Sequence, residues 1–126
     1  MNGQTWIISG ALLGGIAVAL GAFGAHGLKE QLDSTGQAAN FETAVRYQMY
    51  HALALVFVGL FALRTDTATI RAAGICMLAG TVIFSGFLYG IVFSGVKILG
   101  AMVPIGGVLL IAGWIALAIA AWRERA

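Results

Sequence analysis

Charge is what this chain has least of. Only 10% of its 126 residues are charged, seven basic and five acidic, where a soluble domain carries about a quarter. So few charged groups do not clothe a water-soluble globule of this size, so lipid must solvate much of the surface. A single cysteine, Cys76, excludes an intrachain disulfide and is silent on redox compartment. The two histidines, His26 and His51, fall short of the three or four ligands a metal site needs. No Gly-Lys-Ser/Thr follows any glycine-rich stretch, which excludes a phosphate loop. There is no hydrolase elbow, and no acid lies within an apolar run to complete a triad. These absences lead us to expect a protein that is not an enzyme, holds no cofactor or metal and has no nucleic-acid partner.

What remains is apolar. Hydrophobic residues make up 60% of the chain and the mean hydropathy is +0.95. Four runs are long enough to cross a bilayer as helices of about 20 residues: about 6–25, 47–63, 72–93 and 102–122. The first carries no charge and no basic residue precedes it, so it reads as a retained helix rather than a cleaved leader. The second begins earlier as a polar-flanked helix, with Asn40 as N-cap and Glu42 to Arg46 as an i,i+4 pair. Pro104 sits near the start of the fourth, where a missing N–H costs least. In the one long connection, residues 26–46, Leu28 and Leu32 share a face and Lys29 and Asp33 pair beside them. This is a short amphipathic helix at the interface, broken by Ser34-Thr35-Gly36-Gln37. The other connections are short and make antiparallel hairpins. The fold class is therefore all-α, an integral-membrane four-helix antiparallel bundle forming a single domain over 1–126.

Small residues recur with a period. Gly10, Gly14, Ala17, Gly21 and Gly24 are spaced 4-3-4-3, and Gly106, Gly113 and Ala120 recur every seven. A 3.5-residue repeat of small side chains keeps one seam toward a partner helix. Gly10-x-x-x-Gly14 and Gly86-x-x-x-Gly90 permit close approach within the chain or between chains, and the chain is expected to self-associate. An even number of spans puts both termini on one side, with Arg64, Arg71, Arg123 and Arg125. The other side holds Lys29, Arg46 and Lys97, so the positive-inside rule places the termini in the cytoplasm. Trp6, Trp114 and Trp122 read as interface markers.

Threading these helices gathers the polar residues. His26 falls at the long-loop boundary, His51 and Tyr89 about 6 Å below it and Ser85 about 12 Å below it. Tyr47, Gln48 and His51 share one face, as do Thr81, Ser85 and Tyr89. With Arg46 at the rim, these residues occupy one leaflet under the long loop and leave the other almost purely apolar. We expect His51 to contact His26, Ser85 or Tyr89 across a helix interface, since polar groups are costly to leave facing lipid. Ser85 also has a local option, the carbonyl of Thr81.

The stretches Gly21-Ala22-Phe23-Gly24-Ala25-His26-Gly27-Leu28 and Tyr47-Gln48-Met49-Tyr50-His51-Ala52-Leu53-Ala54-Leu55 are distinctive. So are Phe84-Ser85-Gly86-Phe87-Leu88-Tyr89 and Pro104-Ile105-Gly106-Gly107 with Gly113-Trp114. In order along the whole chain, they resemble the small bacterial inner-membrane proteins grouped as domain of unknown function 423, which have eukaryotic transmembrane relatives. Phe87 departs from that pattern, which leads one to expect a small polar residue there. The resemblance implies a four-helix membrane protein and brings no catalytic residue with it.

Two functional readings stand. One is a non-enzymatic binding or accessory protein of the bacterial inner membrane. Its polar pocket (His26, Arg46, Tyr47, Gln48, His51, Ser85, Tyr89) would hold a membrane lipid or small amphiphile, with a homo-oligomer or larger membrane complex as partner. The other is a small transporter or channel with His51 and Tyr89 as gate or proton relay. A conducting path needs polar groups in both leaflets, and here they fill one.

Overall fold

The computed structural model describes residues 1–125 and is helical almost throughout. Its elements are α1 (Gly3–Ala25), α2 (Lys29–Thr35), α3 (Ala38–Ala62), α4 (Ala68–Ser94), a 3₁₀ turn over Lys97–Ala101, and α5 (Val103–Glu124). Four of the helices are long and apolar enough to cross a membrane. α2 is the amphipathic helix of the long connection, closed by the Lys29–Asp33 ion pair at 2.9 Å.

Local chemistry sets the ends. The Asn2 side chain accepts from the Thr5 amide at 3.0 Å and starts α1. Thr67 does the same for Ile70 at 3.3 Å and starts α4 four residues earlier than hydropathy suggests, with Arg71 inside the helix and paired to Asp66 at 3.0 Å. α2 stops at Gly36, whose φ of +69° only glycine adopts without strain. Pro104 lies in the first turn of α5, as expected.

The second span corrects the expectation most. α3 starts at Ala38, and Asn40 is not its cap. Asn40 lies in the first turn and its amide donates to Gln37 Oε1 at 3.0 Å. Helix therefore continues unbroken through Glu42 and Arg46, which pair with each other.

α3 and α4 form the middle of the bundle, with α1 packed on α3 and α5 on α4. α1 and α5 share no comparable interface, so the bundle is open on that side. The glycine seam of α1 faces α3: a Cβ on Gly10 would lie 2.5 Å from the Ala52 carbonyl oxygen. The seven-residue seam of α5 faces α4, where a Cβ on Gly106 would lie 2.5 Å from the Phe84 amide nitrogen. Both seams thus serve packing within the chain. Gly86 does not, because nothing lies within 4 Å of where its Cβ would be.

The largest apolar cluster lies toward the termini, around Trp6, Leu55, Val58, Ile70 and Met77. Trp6 is wholly buried there, its ring lying on Gly74, so it is a core residue and not the interface marker its position suggests. A second cluster joins Leu32 of α2 to Phe41 and Val92, and this anchors the short helix onto the bundle.

Candidate functional site

The seven residues singled out from the sequence do not form one cluster. They divide into two hydrogen-bonded pairs, a serine bonded to backbone, and two side chains outside all of these.

Gln48 and Tyr89 form the first pair, and Ser85 bonds separately. The Tyr89 hydroxyl donates to Gln48 Oε1 at 2.7 Å, and Gln48 Nε2 donates to the Leu13 carbonyl at 2.8 Å. One amide therefore ties α4 to α3 and α3 to α1, using donor and acceptor at once. Ser85 Oγ donates at 2.7 Å to the Ala44 carbonyl of α3, not to Thr81 on its own helix. A carbonyl inside a helix keeps a second lone pair, and the small Ala44 lets the hydroxyl reach it. Thr81 makes the local bond instead, to the Met77 carbonyl at 2.7 Å.

His51 belongs to the second pair, and here the expectation fails. Among the described residues, it hydrogen-bonds to none of His26, Ser85 or Tyr89. Its Nε2 lies 3.0 Å from Trp114 Nε1 on α5, and its Nδ1 lies 2.7 Å from the carbonyl of Tyr47. An indole only donates, so Nε2 must accept, and the proton sits on Nδ1 facing the carbonyl. Both nitrogens are thereby satisfied in a side chain only 4% exposed. The miss has a cause in the helix start. Because α3 begins at Ala38, His51 lies about 20 Å along it, near mid-height of the bundle, well below the depth expected from a start at Tyr47. Trp114 occupies the middle of α5 at the same height. Tyr47 stacks on Phe84 with ring centroids 4.7 Å apart, and on the His51 ring at 6.2 Å.

His26 and Arg46 stand outside all of these. His26 is exposed at the end of α1; its backbone amide donates to the Phe23 carbonyl and its carbonyl accepts from Lys29. Arg46 pairs with Glu42. Among the described residues, no three His, Cys, Asp or Glu side chains gather where a metal could bind.

Two cavities open on the bundle's sides. One, of about 650 Å³, lies between α3 and α5 over Phe84, with Tyr47, Tyr50 and Trp114 on its walls. The other, of about 540 Å³, lies beneath α2 between α1 and α3. Gly21, Gly24, Leu32, Phe41 and Val45 give it an apolar floor. The pairs Lys29–Asp33 and Glu42–Arg46 line it as well. Of those seven residues, Arg46 alone lines this cleft. Lys29, Asp33 and Glu42 were visible as helical ion pairs, but an i,i+4 spacing does not reveal that two pairs on different helices face one cavity.

Similar proteins carry the same description. A UPF0382 membrane protein of Staphylococcus aureus (strain bovine RF122) is 46% identical over 120 residues, covering 95% of this chain and 97% of its own. A UPF0382 membrane protein of Staphylococcus haemolyticus is 43% identical over 120 residues, with coverage of 95% and 97%. One from Staphylococcus epidermidis is 47% identical over 117 residues, covering 93% of this chain and 94% of its own. No solved structure matches. With near full-length relatives that are membrane proteins, and a match over residues 20–107 to the family described as "Protein of unknown function (DUF423)", this chain belongs to that family.

Proposed function

We propose that this bacterial membrane protein is a non-enzymatic binding or accessory protein that holds an amphipathic molecule in the cleft beneath α2. The observation that carries the reading is the cleft itself. Its volume is about 540 Å³, its floor is apolar, and two ion pairs line it. Pockets for small molecules are commonly of this size and combine apolar walls with a few polar groups. Only α1, α2 and α3 border it, so it opens sideways, toward lipid, and membrane lipid is its natural partner.

Supporting the choice over a transporter is how the other polar side chains are used. Gln48, His51, Ser85 and Tyr89 each bond to another helix, so these polar groups are engaged in holding the bundle together. The chain crosses the membrane four times with both ends in the cytoplasm. It associates with copies of itself or with a larger membrane complex through the outer face of α4, where a Cβ added at Gly86 would meet open space.

The test is lipid extraction from protein purified in mild detergent. One amphiphile should co-purify in near-stoichiometric amount. Gly21→Leu should remove it, because a Cβ there meets only Val45 at ordinary distance, 3.6 Å, and a longer side chain fills the cleft. Equal lipid content in a folded Gly21→Leu protein refutes the reading.

A further inference from the structure

Glu42 and Arg46 do not lie at the edge of the bundle. Between them in sequence, the Ala44 carbonyl accepts the Ser85 hydroxyl, which fixes their height against α4. Ser85 is nine residues short of the end of α4 at Ser94, so the Ala44 carbonyl lies about 14 Å inside that end, while Glu42 and Arg46 lie about 6 and 12 Å inside the start of α3. On the other flank, Gly21 faces Val45 and Gly24 faces Phe41, so this part of α3 runs beside the last apolar turns of α1. Farther out on the same side, Phe93, Val96, Ile98 and Met102 are exposed apolar side chains. The pair therefore sits one to two turns below the helix ends, bordered by apolar side chains of α1 and α3. Charged groups at such depth are expensive and usually mark a ligand or ion site.

The second pair lies above the first. Lys29 and Asp33 are on α2, which Leu32 anchors over the cleft. All four charged side chains are more than half exposed, so none is committed to the protein core. The cleft thus presents two cations and two carboxylates around one opening, with an apolar floor running down between α1 and α3. A singly charged anionic lipid would leave the carboxylates facing its phosphate. A neutral diacylglycerol would leave every charge without a new partner. Each cation already pairs with a carboxylate, and a headgroup carrying both signs can exchange with both pairs without leaving either sign unmatched.

We propose that the cleft selects a lipid with a zwitterionic phosphate–ammonium headgroup: the phosphate meets Arg46 and Lys29, the ammonium meets Glu42 and Asp33, and an acyl chain lies on the glycine-lined floor. This rests on the amphiphile-binding reading above and names its ligand class. Guanidinium–phosphate and ammonium–carboxylate contacts are charge-assisted and gain strength beside an apolar floor, where the local dielectric is low.

The experiment is native mass spectrometry of the purified full chain after equilibration with an equimolar mixture of phosphatidylethanolamine and phosphatidylglycerol of identical acyl chains. The wild type should retain phosphatidylethanolamine over phosphatidylglycerol by on the order of tenfold. The double variant Asp33→Asn/Glu42→Gln keeps both cations and should reverse the preference. All four side chains are exposed, so this variant should stay folded, which circular dichroism checks. Excess soluble glycerophosphoethanolamine should not displace the lipid, because the acyl chain supplies much of the contact; ready displacement overturns a lipid as the occupant. Equal retention of the two lipids, or a double variant with unchanged preference, overturns the headgroup assignment and leaves an amphiphile cleft standing. Retention of neither lipid overturns the cleft reading as well.

Discussion

Trp114 and His51 show how a buried polar side chain is held where water is scarce. The indole N–H has one use, and the imidazole lone pair it reaches is the atom that would otherwise go unpaired. Trp114→Phe should therefore cost about 0.6 kcal/mol and at most about 1.7, the range measured for interhelical hydrogen bonds in a membrane. Unfolding in mixed micelles measures it. A double-mutant cycle with His51→Leu should return a favourable coupling of the same size, and additive losses would deny the bond. Tyr89→Phe should cost a similar amount, since it leaves Gln48 Oε1 without its donor. The burial of Gln48, His51 and Ser85 is legible in the sequence, because each lies within an apolar run where lipid cannot satisfy it. Their partners are not. Backbone carbonyls at Leu13, Ala44 and Tyr47 carry no residue-type signature, and His51 meets Trp114 only because α3 begins nine residues above Tyr47.

Helix pairs in this chain are written largely in glycine. The 4-3-4-3 seam of α1 and the seven-residue seam of α5 are both intrachain, and their period is enough to foresee that each meets a neighbouring helix. Spacing does not separate them from Gly86-x-x-x-Gly90, which has the same form and faces outward at Gly86. Gly10→Leu and Gly106→Leu should each destabilise the monomer by several kcal/mol, because the added Cβ would lie 2.5 Å from backbone and the helices must separate. Gly86→Leu should leave stability unchanged. If α4 is the surface of self-association, the same variant should lower the oligomeric mass in mild detergent, and an unchanged mass would remove that surface from consideration. The start of α3 is the element least legible in advance. Glu42 and Arg46 read as residues outside the span, whereas they belong to one unbroken helix with it.

At the scale of the molecule, composition alone conveys four apolar helices, and short connections convey their antiparallel order. The open side between α1 and α5, and the two lateral cavities, come only from how the seams pair the helices in space. The proposed orientation rests on charge: four arginines on the terminal side against two lysines and one arginine on the other. Single cysteines placed at each end of a Cys76→Ser background should resist membrane-impermeant thiol reagents in intact cells, and labelling of both ends from outside would invert the topology. With cytoplasmic ends, the cleft lies in the outer leaflet. Its occupancy is tested most directly by a high-resolution structure of the protein in a lipid bilayer disc. The account predicts one elongated density beneath α2, its polar end among Lys29, Asp33, Glu42 and Arg46 and its tail against Gly21 and Gly24. A cleft collapsed onto its own side chains, with lipid seen only around the outer circumference, would contradict it.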